Sequence, residues 1–221
     1  MRNAPERIVL VTGASGGVSA DVAHQLASAD THVIVNYRRT AQPAEALAAA
    51  IREAGGHAST LSADITDEAA TAAMMDTIAA RFGHLDALIL NASGGLDLGV
   101  DPAHARRLNR DALRRLALLA MPLMPAGGHI VFVTSHQAHF FPNKAVPKGG
   151  AALAASQRAG ETALYAMRST FAHAGIHFTV CSGDMIDGTA VVRAAAIANS
   201  THVPSPSGIV YVGRADYLMT A

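Results

Sequence analysis

"VTGASGGVSADVAHQLA", residues 11–27, decides how the chain is read. It continues the apolar run "RIVLVT" (7–12), a β-strand pattern, and passes into an alanine-rich stretch of helical character. Gly13, Gly16 and Gly17 fall on the turn between them, where a backbone without side chains can bend sharply and approach a ligand. With Ser15 and Val18 they make a loop at a helix amino terminus, whose N–H groups and dipole favour a pyrophosphate. A plain tight turn has the same composition. What points to a nucleotide is the position of the loop in the first β unit.

Six more short β-rich runs follow: "HVIVN", "ASTLS", "ALILN", "HIVFVT", "HFTVC" and "IVYV", separated by segments of helical length. Strands that are apolar throughout belong to a parallel sheet covered by helices on both faces. The fold class expected is therefore α/β, a doubly wound parallel sheet of the Rossmann type, in one domain over 1–221. Ligands in such sheets bind beyond the carboxyl ends of the strands. The stretch Ala190 to Gly208, which contains "ANSTHVPSPSG", reads as a poorly ordered loop.

Composition narrows the partners. Seventeen Lys+Arg balance seventeen Asp+Glu, so no basic face for nucleic acid or an anionic membrane is expected. The one cysteine, Cys181, rules out a disulfide framework and reads as a buried structural thiol. No signal-peptide pattern and no run long enough to span a bilayer is seen, and the expected location is the cytoplasm.

The loop Thr12, Gly13 and Gly17, the "NASGG" after the fourth strand run and the strand-end Ser135 together resemble the short-chain dehydrogenase/reductase superfamily over nearly the whole chain. Ser19 departs from the glycine pattern and adds bulk where helix and strand pack. The resemblance implies a nicotinamide cofactor. Beyond the second strand, where an acidic residue would hold an NAD ribose, the chain has Arg38 and Arg39. Guanidinium groups suit a 2′-phosphate, so NADP(H) is expected, although a solvated basic pair has the same look. The family also uses an aspartate and the next backbone group at adenine, here Asp64 and Ile65; Asp64, or more plausibly Thr66, has a competing role as a helix N-cap. Asn91 and Ala92 match the motif that lines the cofactor ribose, and Ser93 departs from it. Gly183, after Ser182, takes the place of a Pro-Gly turn, and Thr189 stands for the residue that bonds the nicotinamide amide.

The resemblance further implies a serine, an asparagine, a tyrosine and a lysine at the reacting centre. Ser135 matches the serine, and Asn109 matches the asparagine by its distance from Pro122 and Met124. Counting back from Gly175 places Leu153 and Gln157 where tyrosine and lysine belong. Leucine has no proton to donate, and neutral glutamine cannot lower a neighbour's pKa. Of the four tyrosines, Tyr165 lies about 18 Å along the helix from Leu153 and reads as packing. The segment "SHQAHFFPNKAVPKGG" (135–150) offers His136 and His139 as replacement acids, or as solvated loop residues. No carboxylate or thiol accompanies them in the sequence nearby, so no metal site is expected.

Two functions fit. One is an NADP(H)-dependent oxidoreductase of atypical mechanism, acting on a carbonyl or alcohol. The other is a nucleotide-binding partner subunit or cofactor sensor without turnover. Leu96 to Pro102 and Ala190 to Gly208 are expected to line the substrate pocket. The helices starting near Ala103 and Ala151 are those the family uses for a dimer, so a homo-oligomer, dimer or tetramer, is expected.

Overall fold

The computed structural model describes residues 7–14, 17–91, 107–183 and 190–213, with the side chains of 107–109 and 190–193 outside that description. All seven apolar runs are strands: β1 (Arg7–Val11), β2 (Thr31–Tyr37), β3 (His57–Ser62), β4 (Ala87–Leu90), β5 (His129–Ser135), β6 (His177–Gly183) and β7 (Ile209–Val212). They form one sheet in the order β3-β2-β1-β4-β5-β6-β7, every neighbouring pair parallel. Side chains alternate across a strand, so β1 divides itself between two cores. Ile8 and Leu10 join one cluster, and Val9 and Val11 join the other.

Helices cover each face. On the Val9 side lie α1 (Val18–Leu26), α2 (Ala41–Glu53) and α8 (Ala190–Asn199), through Val22, Leu47 and Ile197 among others. On the Ile8 side lie α3 (Glu68–Phe82), α4 (Leu113–Ala120), α6 (Ala151–Tyr165) and α7 (Arg168–His173), through Ile78, Leu116, Leu164 and Phe171. The one-turn helix α5 (His136–His139) closes the end of β5.

The structure departs from four expectations. Ala190–Asn199 is helix, not loop: the prolines all follow Asn199, and "AVVRAAAIAN" is a good helix former whose buried face packs on α1. The residues after it cannot line a pocket at the carboxyl ends of the strands, because Arg7, which begins β1, donates to the Thr201 carbonyl at 2.7 Å at the opposite end. The cap of α3 is Asp67, whose carboxylate accepts from the Ala70 N–H at 2.9 Å. Asp64 and Thr66 instead close a turn just before it, Asp64 Oδ1 accepting from both the Thr66 N–H and its hydroxyl. The helix expected around Asn109 begins as a π-helical turn, Arg107–Ala112, before tightening into α4. Such widened turns are rare and concentrate at functional positions.

Candidate functional site

The strand order reverses direction between β1 and β4, and this switch point is where a doubly wound sheet opens a crevice at its carboxyl edge. Thr12 bridges it. Its backbone N–H and its hydroxyl both donate to the Ile89 carbonyl, at 3.0 and 3.1 Å, while the hydroxyl oxygen accepts from the Asn91 N–H at 2.9 Å. Gly13 and Gly17 have φ of 61° and 62°, the left-handed region that side chains avoid. Gly17 is the N-cap of α1 and offers no side chain to its first-turn amides. A Cβ there would meet no atom within 4 Å, so backbone conformation rather than crowding selects glycine. Ser15 and Gly16 lie outside the described residues, and Val18 starts the helix.

Ser19 has a local explanation. It is buried, and the Asn91 side-chain amide donates to its hydroxyl. The residue that replaces a glycine thus ties the first turn of α1 to the end of β4, through one N–H of the amide that the resemblance assigned to the cofactor ribose. Arg38 and Arg39 are exposed at the bend after β2, on the carboxyl side of the sheet. Ile65 is buried in the core, and its carbonyl accepts from Arg115 at 3.1 Å. This set suits a dinucleotide with a 2′-phosphate: an uncapped helix terminus for the pyrophosphate and two guanidinium groups beyond the second strand. Ala92, Ser93 and Thr189 lie outside the described residues, as does 96–102; Asn109 sits in the π-helical turn, its side chain undescribed.

At the other side of the crevice, Ser135 ends β5 and caps α5, its hydroxyl accepting from the Ala138 N–H at 3.2 Å. The two histidines of α5 are not solvated. His136 is 2% exposed and its Nδ1 lies 2.8 Å from the Ser182 hydroxyl on β6. His139 is 8% exposed and both of its nitrogens are engaged: Nδ1 with Glu161 Oε1 at 2.8 Å and Nε2 with the Tyr211 hydroxyl at 3.1 Å. His139, expected with His136 as a replacement acid, thus has both ring nitrogens hydrogen-bonded within the protein. Arg158 donates to the same Glu161 oxygen at 2.5 Å. Gly183 pairs with Ser135 on one side and Val212 on the other, which puts Tyr211 level with Ser182.

Leu153 and Gln157 lie on α6; Gln157 is buried and Leu153 half-buried. Tyr165 packs edge-on to Phe178 with ring centroids 5.5 Å apart, as expected of a packing residue. Among the described residues no group of three or more His, Cys, Asp or Glu is placed to hold a metal ion, and no helix is long and apolar enough to cross a membrane. Cys181 is a buried thiol 3.3 Å from the Ser200 hydroxyl.

Sequence reasoning missed Glu161, Arg158 and Tyr211. Glu161 carried a signal: it falls in the stripe Ala154, Gln157, Gly160, Glu161 and Leu164 that a helix turns to its core, where a lone acid must find partners. Tyr211 carried none, because its partner lies 72 residues earlier in the chain.

Residues 7–199 match the family model described as short chain dehydrogenase. Over 190 residues the chain is 32% identical to 1-cyclohexenylcarbonyl-CoA reductase of Streptomyces collinus, covering 82% of this chain and 65% of that protein. It spans, then, a little under two thirds of that relative's length. Among solved structures, a short chain dehydrogenase from Burkholderia cenocepacia J2315 in complex with NADP is 26% identical, with a TM-score of 0.80, covering 94% of this chain and 96% of that one. A metagenomic short-chain oxidoreductase in complex with NADP shares the fold at 24% identity and a TM-score of 0.79, covering 94% and 97%.

Proposed function

From the premise that this chain belongs to the short-chain dehydrogenase family, we propose that it is an NADP(H)-dependent oxidoreductase acting on a carbonyl or alcohol without the family's tyrosine and lysine. Leu153 and Gln157 hold those two places. The observation that carries the reading is the switch-point crevice, where left-handed Gly13 and Gly17 leave the start of α1 uncapped and Arg38 and Arg39 stand beyond β2. A bound nicotinamide would supply or take the hydride.

The rest is the work of this chain's own groups. Gly13, Gly17 and Val18, with Ser15 and Gly16, hold the pyrophosphate through backbone N–H groups. Arg38 and Arg39 take the 2′-phosphate; Asp64 and Ile65 bound the adenine; Asn91, Ala92 and Ser93 face the ribose; Gly183 and Thr189 flank the nicotinamide. Ser135 keeps a hydroxyl hydrogen to donate to the substrate oxygen, because its cap interaction uses it only as an acceptor. His136, next to Ser135, is the candidate to move the proton, and Asn109 supports the path from the widened turn. The protein is read as a cytoplasmic homo-oligomer associating through the helices that include α4 and α6. The second reading, a nucleotide-binding partner subunit without turnover, draws on the apolar Leu153, which has no proton to exchange.

The test is a fluorescence titration with NADPH and, separately, NADH. NADPH is expected to bind at least about tenfold more tightly, and Arg38→Ala with Arg39→Ala to erase that preference, since a charge-assisted hydrogen bond contributes about 1.5–3 kcal/mol. Equal affinities would remove NADP(H) from the reading, and no binding of either would remove the nucleotide.

A further inference from the structure

Glu161, His139 and Tyr211 lie in one hydrogen-bonded line that neither nucleotide binding nor the family's reaction uses. Glu161 is 0% exposed and Arg158 holds its Oε1. A carboxylate so placed accepts a hydrogen bond and does not donate one, so the His139 nitrogen it meets at 2.8 Å, Nδ1, carries the ring proton. Nε2 is then the basic nitrogen, and it faces the Tyr211 hydroxyl at 3.1 Å. This is the carboxylate–imidazole–hydroxyl order by which a weak nucleophile is activated, with the base within reach of the proton it would take. The ring that bears the hydroxyl is fixed. Tyr211 stacks on Phe140, centroids 5.9 Å apart and planes 12° from parallel, and meets the His139 ring edge-on at 5.5 Å. Yet Tyr211 is 44% exposed, so the line runs from a fully buried acid to a side chain that solvent reaches.

We propose that Tyr211 is a base-activated nucleophile that accepts acyl groups from small activated esters, with His139 as its base and Glu161 as the residue that positions that base. In the step, Tyr211 Oη bonds to the ester carbonyl carbon as its proton passes to His139 Nε2. The bond from that carbon to the leaving alkoxide or phenoxide then breaks, leaving an acyl-tyrosine. The imidazolium, beside Glu161, later returns its proton to solvent. No oxidant, metal or nucleotide takes part, so the proposal stands or falls apart from the hydride-transfer reading. Burial, and after it the charge of Glu161, hold the Tyr211 phenol above its ordinary range. The nucleophile is therefore not a standing phenolate, and transfer to His139 within the step is what the geometry adds. The titratable or charged groups around the hydroxyl are His136, His139, Glu161, Arg158 and, further along α6, Tyr165.

The experiment treats the folded chain with p-nitrophenyl acetate and maps acetylation by peptide mass spectrometry, with Tyr37, at the end of β2, as the internal reference. Tyr211 is expected to acetylate about 10²-fold faster than Tyr37, the lower end of what a positioned base contributes. Its rate should level off with pH well below the phenol's own titration. His139→Ala should bring Tyr211 down to the rate of Tyr37, and Tyr211→Phe should abolish the adduct. Equal labelling of Tyr211 and Tyr37 in the unaltered protein overturns the proposal without any variant having to fold. So does a rate that keeps rising through the phenol range, or one that His139→Ala leaves unchanged.

Discussion

At the amino ends of the strands, His32 and His129 are pushed down to about 4, His32 by burial and then by Arg81, His129 by burial and then by His177. At the carboxyl ends, His139 lies instead between a buried carboxylate and a phenol. The first pair work as neutral rings. His129 and His177 face each other across neighbouring strands with centroids 5.0 Å apart, and His32 leans on Phe82 at 4.7 Å. The same residue type thus fills core at one end of the sheet and is set up for proton transfer at the other. What separates them is the presence of an acid: no carboxylate is among the groups that shift His32 or His129, whereas Glu161 reaches His139 from a helix on the facing layer.

The comparison breaks most sharply at Arg158. Arg158→Ala would leave Glu161 fully buried with His139 as its remaining hydrogen-bond partner. Arg158 is itself partly exposed, so the cost is that of leaving a buried acceptor short of a partner, about 2 kcal/mol, read as a lower urea midpoint at unchanged slope. A stability change below about 1 kcal/mol would mean that the carboxyl-end network is no more charged in effect than the amino-end rings. A smaller effect is expected from Ser135→Ala, which removes the cap that orients α5 and both of its histidines. The expected loss is about 1 kcal/mol by the same denaturation, accompanied by a drop in Tyr211 acetylation.

The smallest effect per residue belongs to the amino end. His32 and His129 bind protons more weakly in the folded chain than in the unfolded one, where the ordinary value is about 6.5. Their contribution is therefore complete above about 6.5 and is lost as pH falls toward about 4. The melting temperature should decline through that window. His32→Gln with His129→Gln should flatten the decline, and an unchanged slope would show that other groups control it. Solvent reaching the half-buried His32 ring screens its share of the effect.

The contrast also explains what could be read before any coordinates. Strands written as "RIVLV" or "HIVFVTS" need only cover on both faces, and an unbroken apolar run states that locally. Gly13 and Gly17 are equally local, because a left-handed turn at a helix start is a property of the few residues in it. Asp67 rather than Thr66 caps α3 because either fits the pattern and only the backbone path decides. The His139 site is different in kind. Its members come from α5, α6 and β7, and counting along the chain cannot bring residues 139, 161 and 211 together. His136 and His139 stand three apart in the sequence, yet the structure gives them separate partners, Ser182 and Glu161.

The bridge that Thr12 makes across the switch point has a mechanical consequence. It adds a side-chain rivet, and through it the Asn91 amide, just past the last paired residues of β1 and β4, on the line where the sheet's two winding directions meet. The two flanks are thereby kept from splaying like covers about a spine. A molecule bound in the crevice would thus rest on a floor tied across the switch point by side chain as well as by backbone.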